Sequence, residues 1–291
     1  MDLLTAYSCI IIFITSTSTS TWRTLASSPS SACQSTCGSL QVKYPFGTGP
    51  GCGSPRFQPF VCCASNNQLT LTTHTGSYPV TSISYATSTL TITPPLMSTC
   101  SSMHPSPNFG IDWPTPFQLG PSTFLLLSCA AASSSLTRNG FPLCDSSNSH
   151  LCAAIYTCPS VVSLGLPLFA PTNSCCVYSP ANLGPRGDLD LQELKCAAFA
   201  SVASLGEYQT DPMKWEYGVV LDYSSGGAFE AQNGNYATAC DACEKSQGVC
   251  GYAPPTNYFV CVCNNGINTT SDCFGQVAFS STAPTPLIIG N

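Results

Sequence analysis

Twenty cysteines, in a chain where only 8% of the residues are charged, limit more than any other feature what this protein can fold into. Cytosolic proteins keep their thiols reduced, so cysteine at this density points to an oxidising compartment and a fold stapled by disulfides. The low charge excludes other classes. Eight Lys and Arg cannot neutralise a nucleic-acid backbone, and the abundant Glu, Lys and Arg of a long coiled coil are missing. With 43% apolar residues the chain is also too hydrophobic for intrinsic disorder. The expected fold class is mainly β and disulfide-rich, with two small cysteine-stapled modules and one short helix.

The ends carry their own signals. Leu3 to Ile14 is an apolar run followed by a Ser/Thr tract. It is shorter than the roughly 20 residues of a spanning helix, and it suits a secretory signal peptide over residues 1–26. Asp2, with no Lys or Arg before the run, is the one feature that fits poorly. Residues 276–291 form a tail whose last apolar residues, Leu287 to Ile289, are fewer than a lipid-anchor signal needs. The expected location is secreted, in the extracellular space or cell wall. Membrane association is the alternative, if that end is a shortened anchor segment.

Removal of Cys9 with the signal leaves nineteen cysteines, an odd number. They fall into a first group (Cys33, Cys37, Cys52, Cys62, Cys63, Cys100), a middle group of seven from Cys129 to Cys196, and a third (Cys240, Cys243, Cys250, Cys261, Cys263, Cys273). Neighbours in sequence sit about 3.8 Å apart, against about 5.5 Å for a favoured disulfide. Cys62-Cys63 and Cys175-Cys176 therefore need separate partners. The odd thiol is expected at Cys62 or Cys63, or in the middle group. Zinc ligation by the third group is disfavoured, because secretion oxidises thiolates and no histidine lies nearby. The spacing of its last four cysteines resembles the second half of an epidermal-growth-factor-like module. That resemblance implies Cys240–Cys250, Cys243–Cys261 and Cys263–Cys273.

Strand-like runs cover Leu40 to Tyr44, Leu69 to Thr72, Val80 to Tyr85 and Thr89 to Thr93; the last two alternate apolar residues with Ser/Thr. They define a first module at 33–100. A proline-rich stretch from Pro94 to Pro121 supplies a linker at 101–122, and a second module follows at 123–275. Phe124 to Leu127 and Val219 to Tyr223 read as strands. Asp188 to Val202 reads as the helix, since its apolar residues recur at gaps of three and four. Charge is uneven. Cys33 to Ile111 holds Lys43 and Arg56 but no acid, whereas the chain from Asp112 onward holds five cations and thirteen acids.

No catalytic constellation stands out. His74, His104 and His150 lack a neighbouring nucleophile signature, and the glycine-rich loop, HRD and DFG of kinases are missing. No enzyme activity, cofactor or metal is expected. Asn268-Thr269-Thr270 is an N-glycosylation acceptor.

A resemblance is carried by Cys33-x3-Cys37-Gly38, Tyr44-Pro45-Phe46-Gly47 and Gly51-Cys52-Gly53-x-Pro55-x-Phe57. Together these resemble the galacturonan-binding module of plant wall-associated receptor kinases. Cys175-Cys176-Val177-Tyr178, Trp215-x-Tyr217-Gly218, Gly248-Val249-Cys250-Gly251-Tyr252 and Phe259 to Cys263 resemble the C-terminal module of the same proteins. There is no kinase domain to go with them. The resemblance implies a non-enzymatic protein that binds pectic polysaccharide (galacturonan) of the cell wall. Candidate binding residues are the cations Lys43 and Arg56 and the aromatics Tyr44 and Phe46, which either stack on sugars or build the core of a small module. The competing expectation is an ectodomain-like partner for peptides or receptors, with the cysteines as scaffold only.

Overall fold

The computed structural model describes residues 33–111, 115–130, 136–138, 140–178, 188–224, 236–264 and 267–274. The expected signal segment with Cys9 and the tail lie outside them. The fold is mainly β, with few short helices. Six strands form one antiparallel sheet in the order Val61–Cys63, Leu69–Thr73, Gly76–Ser84, Thr89–Ile92, Val219–Asp222 and Gln118–Leu119. A four-stranded sheet follows the order Cys176–Tyr178, Thr123–Cys129, Cys196–Ser204 and Glu216–Tyr217. A small three-stranded sheet, Val249–Ala253, Tyr258–Val262 and Asn268–Thr269, completes the cysteine-rich C-terminal unit. No helix among the described residues is long and apolar enough to cross a membrane.

Alternation decides how the six-stranded sheet sits. Leu69, Leu71, Tyr78, Val80, Leu90 and Ile92 point into one large core, and Thr70, Thr72, Thr89 and Thr91 lie on the other, more accessible face. The strand Thr123–Cys129 is different, because both of its faces are covered. Phe124 and Leu126 join that core, while Leu125 and Leu127 belong to a second one. A strand covered on both faces has no polar positions to alternate with, hence the unbroken Phe-Leu-Leu-Leu run.

The expected helix at Asp188–Val202 is a strand instead, running from Cys196 to Ser204 in the middle of the four-stranded sheet. Phe199 faces the first core and Ala198, Ala200 and Val202 the second, so burial on both faces erased the period that distinguishes strand from helix. The helices lie elsewhere, at Ser149–Ile155 and Tyr236–Lys245. The proline-rich stretch is not a spacer either. Phe109, Ile111 and Phe117 are buried in the first core and Met103 in the second, and Gln118–Leu119 is an edge strand. Strand Val219–Asp222, far along the chain, pairs in register with Thr89–Ile92.

Nine disulfides are formed among the described residues: Cys33–Cys52, Cys37–Cys63, Cys100–Cys158, Cys129–Cys196, Cys144–Cys176, Cys152–Cys175, Cys240–Cys250, Cys243–Cys261 and Cys263–Cys273. Cys62 is disulfide-bonded as well, and no described cysteine is a free thiol. Cys63 and all seven cysteines of the middle group pair within the nine bonds, so the odd cysteine is at neither of those places; Cys62, the remaining expected position, is the one described cysteine bonded outside these nine pairs. The separation of the first and middle groups is overturned. Cys100 and Met103 pack into the second core with Leu151, Ile155 and Tyr156, which brings Cys100 to Cys158 across the two groups.

Candidate functional site

The Tyr-Pro-Phe-Gly motif is a turn closed by the Phe46 N–H donating to the Lys43 carbonyl at 2.9 Å. Lys43 is exposed, and its backbone N–H donates to the Tyr85 hydroxyl at 2.7 Å. That hydroxyl donates in turn to the Gln41 carbonyl. Burial pushes the Tyr85 pKa up to about 12; the bond from Lys43 acts against the rise, and the nearby Glu244 charge adds to it.

The four candidate binding residues separate here. Phe46 is only 3% exposed, ringed by Phe57, Phe117, Tyr85 and Tyr223 at centroid distances of 4.9–6.4 Å. It cannot stack on a sugar. Of its two roles, building the core is the one it takes. Tyr44 is half-buried and stacks on Tyr236 of the C-terminal helix, 5.7 Å between centroids. Its backbone N–H donates to Glu244 Oε1 at 3.2 Å. Arg56 is half-buried, and its backbone N–H donates to Ser54 Oγ at 3.3 Å.

Gly51-Cys52-Gly53 is buried. It forms an antiparallel bridge with the C-terminal unit: Gly53 N–H donates to the Cys250 carbonyl and Tyr252 N–H to the Gly51 carbonyl, both at 2.8 Å. Two glycines make this approach possible. Gly53 has a φ of +67°, and a Cβ there would lie 2.5 Å from the Phe46 carbonyl carbon. A Cβ on Gly251 would collide with the Gly51 carbonyl oxygen. Gly251→Ala is expected to lower stability by about 1–3 kcal/mol, as overpacking does. It should also speed amide exchange at Gly53 and Tyr252, which a thermal melt and hydrogen exchange would read together.

The C-terminal unit is covalently organised. Cys240 and Cys243 on the helix are tied to Cys250 and Cys261 on the strands. With Cys263–Cys273 these bonds consume all six sulfurs of the third group, leaving none as a thiolate ligand.

Residues 33–94 match the family model described as wall-associated receptor kinase galacturonan-binding. Residues 191–266 match the model described as wall-associated receptor kinase C-terminal. Two separate segments of the chain thus match wall-associated receptor kinase models, the galacturonan-binding one first. No kinase-domain family was detected with them, and no curated protein or solved structure matches the chain.

The surface at Lys43 and Tyr44 is thus composite. The segment matching the galacturonan-binding model supplies Lys43, Tyr44 and the Gly51–Gly53 strap, and the segment matching the C-terminal model supplies Tyr236, Glu244 and Gly251. Sequence reasoning had no route to Glu244 or Tyr236, about 200 residues away, because nothing local marks them. Asn268 lies just beyond the C-terminal match, exposed on an edge strand.

Proposed function

We propose that this protein is a secreted, non-enzymatic binder of pectic polysaccharide in the plant cell wall, glycosylated at Asn268. The observation that carries this reading is the match of residues 33–94 to the galacturonan-binding family model. Charge supports it, since the first 79 residues of the described chain contain Lys43 and Arg56 but no acid, and a polyanion meets no local repulsion from them. Each exposed cation contributes only about 1 kcal/mol at contact in water. Affinity per molecule is therefore modest, and retention on the wall depends on many molecules along one polymer.

The test is a Lys43→Gln/Arg56→Gln double variant of the full chain, with its disulfides verified, on immobilised polygalacturonate. Binding should fall about fivefold or more at low ionic strength and change little at high salt, where screening already removes exposed-charge attraction. Unchanged low-salt binding would remove electrostatics from the mechanism. Retention of the oxidised protein by a peptide or receptor and not by polygalacturonate would favour the competing class.

A further inference from the structure

The candidate cation Lys43 does not act alone on its loop. Glu244, exposed on the helix Tyr236–Lys245, places its carboxylate on the adjoining peptide, accepting the Tyr44 N–H at 3.2 Å. Its field reaches the Tyr85 hydroxyl, the group that accepts the Lys43 N–H. The other acid of the helix, Asp241, forms an ion pair with Lys245 one turn on. Glu244 is thus the carboxylate built into the wall of the site, in contact with a module that has no acid of its own.

We propose that Glu244 is a specificity-determining residue, which offsets the attraction of Lys43 for fully ionised galacturonan and so narrows the site's discrimination between ionised and methyl-esterified pectin. This rests on the pectin-binding reading and names the form of the polymer on which Glu244 acts. An ionised galacturonate approaching Lys43 gains attraction from the ammonium and meets opposing repulsion from Glu244, each about fivefold in binding at contact distance in water. A methyl-esterified residue carries no charge and meets neither. Its apolar ring face and ester methyl still fit the aromatic surface of Tyr44 and Tyr236, which the Glu244 bond to the Tyr44 backbone holds in place.

The experiment compares full-length oxidised protein and Glu244→Gln, whose amide oxygen can still accept the Tyr44 N–H. Both are titrated with de-esterified polygalacturonate and with highly methyl-esterified pectin at low ionic strength. Glu244→Gln should bind the de-esterified polymer about 3–5-fold more tightly and the esterified one unchanged, and high salt should erase the gain. Glu207→Gln, on the turn after strand Cys196–Ser204, controls for net charge and should leave both affinities as they are. An unaltered preference in Glu244→Gln, an equal gain on both polymers, or the same gain in Glu207→Gln would overturn the inference and leave pectin binding standing. Failure of the unsubstituted protein to bind either polymer would remove both.

Discussion

Reduction is expected to abolish the cooperative thermal transition of this protein, not merely to lower its midpoint. The nine disulfides formed among the described residues close loops with sequence separations from 10 to 67 residues. Removing one native disulfide from a small secreted domain typically destabilises it by about 2–5 kcal/mol. The whole stability of a folded domain is only about 5–15 kcal/mol, so a few reductions exhaust it. The C-terminal unit should go first. Among the described residues its buried cluster consists of Cys240, Cys243, Cys250, Cys261 and Cys263, with the partly buried Tyr44, Phe259 and Cys273 packed against it. With the bonds opened, that unit has no hydrocarbon core to fall back on. Calorimetry with and without a phosphine reductant reads the effect. A reduced protein that still melts cooperatively near the oxidised midpoint would contradict it.

Phe46→Ala is expected to lower stability by about 3–5 kcal/mol, the usual loss for emptying a buried phenylalanine site. The ring sits at the centre of an aromatic cluster, edge-on to Phe57 and Tyr223 and stacked with Phe117. These partners come from distant parts of the chain: Phe57 from the first module, Phe117 from the proline-rich stretch, and Tyr223 from the end of strand Val219–Asp222. Deleting the ring loosens all of them together. The turn that presents Lys43 closes through the Phe46 backbone, so glycan binding should weaken only to the extent that the fold does. Denaturant titration gives the stability loss, and polygalacturonate binding below the melting range separates it from a direct role. A variant of unchanged stability with lost binding would return Phe46 to the binding surface.

Much of the architecture was legible in the sequence because the relevant physics is local. The Thr-Leu-Thr-Ile alternation of residues 89–92 is the signature of a half-buried strand, and it forms one. What could not be read was set at long range. Strand Cys196–Ser204 is apolar on both faces, so its sequence carries no period, and the spacing of Leu189, Leu191 and Leu194 imitated a helix. The prolines of residues 94–121 are consistent with an irregular path, but not with solvent exposure, because Phe109 and Phe117 draw that path into the core. At the candidate site, the motif Tyr-Pro-Phe-Gly was visible but its division of labour was not. Which aromatic turns inward depends on Phe117 and Tyr223, and which turns toward the C-terminal helix depends on Tyr236.

Hydrogen exchange of the oxidised full-length chain, with and without a saturating galacturonan oligosaccharide of mixed esterification, locates the binding surface in one measurement. Slowed exchange should centre on the turn at Lys43 to Phe46 and on the segment around Arg56, and extend across the composite surface to the helix Tyr236–Lys245. Strand Thr123–Cys129, buried on both faces, should not change. Protection confined to other segments, or none at a saturating concentration, would contradict glycan binding by the composite surface of the two modules.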